Sequence, residues 1–179
     1  PTNLAPDRLS ALRTLDGETV WRVAARHGRI DVLEYLKPKG LLAMIDEPDD
    51  GGWTPLHDAI DPNKEEAARW LMEHAADINA ITTYGYTVFS LACEAMSFSF
   101  VEELAGKVAP DHLALPNNDD KSPMRRAFML AADRGGYLPI VRTLILRGVP
   151  VRSRDFPSGY QGCFLPRRRQ IIASIEADL

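Results

Sequence analysis

A short pattern recurs four times along the chain, at spacings of 35, 33 and 35 residues. Each copy opens on Thr or Ser and carries alanine five positions later. The openings are Thr19, Thr54, Thr87 and Ser122, and the alanines are Ala24, Ala59, Ala92 and Ala127. Repeats of this length are typical of a solenoid, in which each unit buries its apolar face only by stacking on its neighbours.

The residue types in each copy predict a turn, a short helix, a second turn and a second helix. The hydroxyl of the opening Thr or Ser can accept a hydrogen bond from a free backbone N–H at a helix start. Pro55 and Pro123, one position later, fit the first helical turn, where no N–H is needed. The constant alanine allows neighbouring helices to approach closely. The segments that follow, such as RIDVLEYL and EEAARWLM, have the apolar spacing of an amphipathic helix.

The second copy carries the run TPLHDA, from Thr54 to Ala59, and its unit ends in AADINA. This combination resembles the ankyrin repeat, whose signature is T-P-L-H-x-A. The resemblance implies an all-α solenoid of about four helix-turn-helix units, joined by turns or hairpins and closed by degenerate caps. We expect a repeat array over residues 1–155, with a capping helix over 1–14, units over about 15–48, 49–81, 82–116 and 117–152, and a C-terminal loop and capping helix over 156–179.

Two units depart from the pattern. The third ends in GKVAPDHLAL, which lacks the usual Gly-Ala-Asp ending, so we expect irregular geometry there. The fourth holds about five additional residues around Gly135 and Gly136, which predict a longer first helix or a protruding loop before Pro139. The His position of the signature is filled differently outside the second unit, by Arg22, Ser90 and Arg125.

The chain offers no arrangement that suggests catalysis. The resemblance implies that His57 is structural and forms a hydrogen bond between neighbouring turns. Cys93 falls where the other units place core residues, which predicts a buried, inert thiol. Neither His74 nor His112 has a Cys or carboxylate at metal-ligand spacing, and no nucleophile or phosphate-binding motif is present. We therefore expect a non-enzymatic protein without cofactor or metal.

The charge of the chain is unevenly distributed. The net charge is −4, with 14 basic and 22 acidic residues over 1–141 and seven basic and three acidic residues over 142–179. The whole chain therefore gives no case for nonspecific nucleic-acid binding. No apolar run is long enough for a membrane span. The two cysteines form no disulfide pattern, so we expect a reducing compartment, the cytoplasm or alternatively the nucleus.

Stacked units of this kind present a long concave surface of turn tips and first helices. The resemblance implies that this surface binds another protein. Because aromatic residues lie at its centre and acids surround them, we expect a monomer that binds a basic segment of its partner. The residues that we expect to bind the partner are Glu18, Arg26, His27, Asp49, Asp50, Trp53, Asp61, Tyr84, Tyr86, Glu94, Asp119 and Lys121.

Two other interpretations of the sequence remain open. The chain could be the ankyrin segment of a longer enzyme or effector whose catalytic domain is absent here. Alternatively, the three arginines at 167–169 could bind a polyanion such as nucleic acid or an anionic lipid, and binding would then weaken steeply with salt. A solvated helix end is the simpler explanation of these arginines.

Overall fold

The computed structural model describes residues 8, 11–14, 17–95, 97–134, 138–151 and 155. In that part of the chain, extended backbone pairs only at two isolated bridges, between Arg13 and Thr19 and between Ile81 and Thr87. The other regular elements are helical, which confirms the all-α prediction. They are α1 (Val20–Arg26), α2 (Ile30–Leu36), the 3-10 turns Lys37–Lys39 and Leu41–Met44, α3 (Pro55–Ile60), α4 (Glu65–Glu73), α5 (Val88–Ala95), α6 (Phe98–Lys107), α7 (Pro110–Leu113), α8 (Pro123–Arg134) and α9 (Leu138–Leu146).

The helices form pairs, and the pairs stack in chain order. The first helices α1, α3, α5 and α8 contact one another in succession, and each packs against the second helix of its own unit. Among the second helices, α2 contacts α4 and α6 contacts α9. This arrangement confirms the predicted solenoid of helix-turn-helix units.

The repeated Thr or Ser begins the first helices, as its hydroxyl predicts. Thr19 Oγ1 accepts a hydrogen bond from the backbone N–H of Arg22 at 3.2 Å. Ser122 Oγ accepts one from the backbone N–H of Arg125 at 3.0 Å. Each bond satisfies one of the N–H groups that a helix start leaves without an intrahelical partner.

The alanine of each copy lies buried where successive first helices meet. Ala24 is 4% exposed, and Ala59, Ala92 and Ala127 are fully buried. A larger side chain here would hold the neighbouring helices apart, which explains why alanine recurs. The rest of the repeated core comprises Trp21, Leu36, Leu56, Leu71, Phe89, Leu104, Met124 and Leu144, all of which are buried.

The third and fourth units are irregular. In the third, the one-turn helix α7 follows α6, after Val108 at the α6 C-cap adopts extended backbone. In the fourth, α8 has 12 residues, against six in α3 and eight in α5, which agrees with the predicted longer first helix. Gly135 and Gly136 lie outside the described residues, as does the predicted C-terminal loop and capping helix over 156–179.

Candidate protein-binding surface

The turns before the first helices lie side by side along one edge of the stack. The backbone N–H of Thr83 donates to the carbonyl of Gly51 at 2.9 Å, and that of Asn118 donates to the carbonyl of Tyr84 at 2.9 Å. These bonds join the turn tips of the second, third and fourth units. The tips and the first helices together form one face, which we call the recognition face.

A left-handed residue two positions before each opening Thr or Ser gives the tips a common shape. It is Gly17, Gly52, Gly85 or Asp120, with φ between +58° and +77°. Only glycine adopts such backbone without cost. At Gly52 a side chain would also meet backbone, because an added Cβ would lie 3.0 Å from Cα of Thr82. Successive tips therefore approach one another closely.

Trp53 and Tyr86 occupy the same position in successive tips and lie together. Their ring centroids are 6.3 Å apart, and the Trp53 ring also meets the His57 ring edge-on at 5.8 Å. Both side chains are half-buried and pack against the core. Tyr84, on the tip of the third unit, is 59% exposed. Of the three predicted aromatics, Trp53 and Tyr86 therefore form a packed pair, and Tyr84 is exposed on the same tip as Tyr86; we call the three together the aromatic patch.

Acidic side chains are exposed in the same units as these aromatics. Asp50 is exposed on the second tip, and Asp61 and Glu94 are exposed at the same position in successive units, just after α3 and near the end of α5. On the fourth tip, Lys121 Nζ lies 3.0 Å from a carboxylate oxygen of Asp119. That pairing raises the pKa of Lys121, through the hydrogen bond to Asp119 first and the carboxylate charge second.

Asp49, in contrast, is engaged within the fold. Its Oδ1 accepts from the backbone N–H groups of Gly51 at 2.9 Å and Trp53 at 2.8 Å, while Oδ2 lies 2.8 Å from Nη1 of Arg22. The side chain thus shapes the second turn and ties it to α1. A side-chain oxygen at this position shapes the turn in other units too, at Thr14, Thr82 and Asn117.

Glu18 and Arg26, both predicted to bind the partner, belong to a network between the first two units. Arg26 contacts the carboxylates of Glu18 and Asp58, and Arg22 donates through Nε to Asp58 Oδ2 at 2.5 Å. Burial alone lowers the pKa of Arg22, but the hydrogen bonds and charges of Asp58 and Asp49 outweigh it, so the pKa is raised. The network holds α1 against α3, which leaves Glu18 and Arg26 less free to meet a partner.

The sequence did not single out Arg22 or Asp58 as a pair. Arg22 occupies the His position of the signature, and Asp58 its variable position one unit later. The signal in the sequence that could have predicted the pair was a basic residue and an acid at repeat positions that face the same interface between units.

His57 is buried and caps its own helix. Its Nδ1 accepts from the backbone N–H of Thr54 at 3.2 Å and lies 2.9 Å from Thr54 Oγ1, so the proton belongs on Nε2. Burial lowers the pKa of His57 to about 4, although backbone groups of Tyr86 and Ala80 act in the opposite direction. Among the described residues Nε2 makes no close hydrogen bond, yet the ring interacts with the backbone of Tyr86 in the neighbouring turn. His57 is therefore structural, as expected: it caps its own helix and also interacts with the next turn.

The other residues that the sequence singled out are Cys93, His27 and the arginines at 167–169. Cys93 is buried, as predicted, and burial raises the pKa of its thiol, which disfavours the reactive thiolate. His27 is exposed at the end of α1 and lines an open groove of about 670 Å³, together with Val20, Val23 and Val32. The arginines at 167–169 lie outside the described residues.

Within the described ranges of the chain, no group of three or more His, Cys, Asp or Glu side chains is placed to hold a metal ion. Among the helices that the structure describes, none combines the length and the apolar character needed to cross a membrane.

The chain was also compared with known proteins. Residues 4–82 match the model of a family described as ankyrin repeats, with three copies. This match covers the first two units and the residues that precede them, where the signature in the sequence is clearest.

Several curated proteins are similar to this chain over part of their length. The mouse protein phosphatase 1 regulatory subunit 12A is 37% identical over 108 residues, which are 60% of this chain and 10% of that protein. The NF-kappa-B inhibitor cactus of Drosophila melanogaster is 33% identical over 110 residues, 60% of this chain and 22% of that protein. The human 2-5A-dependent ribonuclease is 34% identical over 74 residues, 41% and 10% of the two chains. The chain thus spans a small part of the length of these relatives.

Proposed function

Because this chain belongs to the ankyrin-repeat family, we propose that it is a non-enzymatic module that binds a partner protein through its recognition face. The observation that carries the proposal is the aromatic patch of Trp53, Tyr84 and Tyr86. Aromatic residues are enriched among the side chains that contribute most to protein–protein binding. Two of these three are already held by packing, so little side-chain freedom is lost when a partner binds.

The charges around the patch indicate the kind of partner. Asp50, Asp61 and Glu94 are exposed, and within the described part of the chain no salt bridge joins any of them to a basic side chain, although the charge of Glu94 acts on Lys121. A partner segment with Lys or Arg would complement these acids, which would steer it toward the face and speed association. The proposed partner is therefore a protein that presents a basic, extended segment to a monomer of this chain.

The names of the relatives are consistent with a regulatory role. One is a regulatory subunit and another an inhibitor, and each matches this chain only over a small part of its own length. A second candidate follows from the ribonuclease, which is an enzyme with a similar stretch. In that case the chain would be the binding segment of a longer enzyme or effector, and the recognition face would serve to place it.

The proposal is tested by capture from a native lysate followed by mass spectrometry. We expect Tyr84→Ala and Trp53→Ala to lose the captured protein, with a loss of about 2 kcal/mol for a side chain that dominates binding. Tyr35→Ala is the matched control, because Tyr35 is 44% exposed on α2, away from the recognition face. Melting curves of each variant separate lost binding from lost folding.

The outcome that contradicts the proposal is equally specific. If Tyr84→Ala and Trp53→Ala keep the captured protein while substitution of the arginines at 167–169 removes it, the binding surface is the basic end. Steep weakening of capture between low and moderate salt would then indicate phosphate contacts.

A further inference from the structure

Two rows of side chains repeat across the second and third units of the recognition face. One position before the opening Thr lie Trp53 and Tyr86, and seven positions after it lie Asp61 and Glu94. The two rings of the aromatic row lie next to each other, with their centroids 6.3 Å apart. The two side chains of the acidic row are exposed. The second and third units thus each present one aromatic residue and one acid.

The spacing of the acidic row is set by the stacking of the helices. Because α3 packs directly against α5, the acids at the ends of these helices repeat at the interaxial distance of packed helices, about 8–10 Å, whereas the rings of the aromatic row lean together at 6.3 Å. A β-strand rises about 3.3 Å per residue and points alternate side chains to opposite faces, so it places equivalent side chains about 7 Å apart. A polyproline II helix rises about 3.1 Å per residue with three residues per turn, so positions i and i+3 share a face about 9 Å apart.

The backbone of the tips also disfavours a strand as the bound form. An added strand needs free N–H and C=O groups along an edge. At the tips, the N–H of Thr83 and the carbonyl of Gly51 are bonded to each other, as are the N–H of Asn118 and the carbonyl of Tyr84. A polyproline II segment needs no such groups, and aromatic-lined grooves are its usual binding sites.

The first and fourth units limit the number of acids in the acidic row. In the first unit the position of Asp61 and Glu94 is taken by Arg26, which contacts Glu18 and Asp58. In the fourth unit that position is taken by Met129, which carries no charge. The acidic row therefore holds two acids, and they match two basic residues in the partner.

We propose that the partner segment is a polyproline II helix with two Lys or Arg residues at positions i and i+3, which pair with Asp61 and Glu94 while the residues between them pack on Trp53 and Tyr86. This inference rests on the function proposed above and specifies its ligand. The tilted aromatic pair also attracts the cationic side chains themselves, since ring faces bind ammonium and guanidinium groups.

The test uses three fluorescein-labelled peptides of identical composition, measured by fluorescence anisotropy against the whole chain. Each has a proline-rich background and two lysines, separated by two, three or four positions. We expect the peptide with spacing three to bind about fivefold more tightly than the others, the size of one exposed ion pair. The double variant Asp61→Asn/Glu94→Gln is expected to remove this preference, whereas Glu66→Gln, at an exposed acid on α4, keeps it.

The possible failures are distinguishable. If the three peptides bind equally, and binding is lost both in Trp53→Ala and in Asp61→Asn/Glu94→Gln, the spacing rule is wrong and the basic-segment function stands. If no peptide binds, or binding is indifferent to all of these substitutions, both the spacing rule and the basic-segment proposal are overturned.

Discussion

Arg22 Nε donates to Asp58 Oδ2 at 2.5 Å across the boundary between the first and second units. Both side chains are buried, with Arg22 at 3% and Asp58 at 5% exposure. A buried pair of this kind gains little over a well-packed apolar pair, because both charges lose their hydration. Removal of one partner costs much more, since it leaves a charge buried without compensation.

Asp58→Ala is therefore expected to lower the free energy of unfolding by about 3 kcal/mol, the lower end of the range for a broken buried pair, because Arg22 keeps its contact with Asp49. The double variant Arg22→Met/Asp58→Leu, which replaces both charges by apolar groups, is expected to recover part of that loss, since it also removes the partner of Asp49. Urea denaturation of the two variants and the unmodified protein measures both values. A double variant as unstable as Asp58→Ala would show that the pair itself, rather than the unpaired charge, accounts for the stability.

This pair also marks the limit of what the sequence could predict. The repeat predicted the helices and the four buried alanines, because a constant small residue at a fixed period has one simple explanation in a stacked array. Arg22 and Asp58 are 36 residues apart, and each looks like an ordinary variable position within its own unit. Their contact exists only once two units are docked, so no local pattern announces it.

The candidate site divides in the same way. The tip position of Trp53, Tyr84 and Tyr86 followed from the repeat, because the spacing places them beside the turns. Whether an acid on the tip is free to meet a partner did not follow, because that depends on which backbone N–H groups face it. Asp49 and Asp50 are neighbours in sequence, yet Asp49 accepts from the turn and Asp50 is exposed.

The close approach of the third and fourth tips makes Gly85 a sensitive position. Its φ is +77°, and an added Cβ would lie 2.8 Å from Oδ1 of Asn118 and 3.1 Å from Cα of Asn117. We expect Gly85→Ala to lose about 2–3 kcal/mol of stability, of which left-handed strain alone accounts for about 1–2. Gly17→Ala is the control, because Gly17 has the same φ and no atom within 4 Å of an added Cβ. Equal losses in thermal or urea denaturation would show that the contact between tips is unimportant.

Burial of neutral His57 predicts a dependence of stability on pH. Its pKa is about 4 in the folded protein and 6.5 for the ordinary side chain, so the unfolded chain binds the proton more readily. The contribution of His57 is therefore complete above pH 6.5 and is lost as the pH falls toward 4. The loss amounts to about 3 kcal/mol, since each unit of pKa difference is worth about 1.4 kcal/mol.

The measurement is the free energy of unfolding between pH 7 and pH 4, for the unmodified protein and for His57→Gln. Acidic side chains titrate in both proteins, so the difference between the two curves isolates His57. We expect the His57→Gln curve to fall less steeply over this interval. Parallel curves would mean that protonation of His57 is not linked to unfolding.

The two neighbouring acids of the second tip provide the last prediction. Asp49→Asn is expected to destabilise the fold, because the carboxylate accepts two backbone N–H groups and pairs with Arg22. A neutral amide weakens these charge-assisted bonds, each of which is worth about 1.5–3 kcal/mol.

Asp50→Asn removes the same charge from the next residue in the chain. Because the side chain of Asp50 is exposed, we expect the free energy of unfolding to change by less than about 0.5 kcal/mol. Its effect belongs to binding: association with a basic partner segment slows and its salt dependence flattens, while the dissociation rate changes little. Denaturation curves combined with stopped-flow association at two salt concentrations test both halves. If Asp50→Asn leaves the association rate and its salt dependence unchanged, the acids of the tip do not steer the partner.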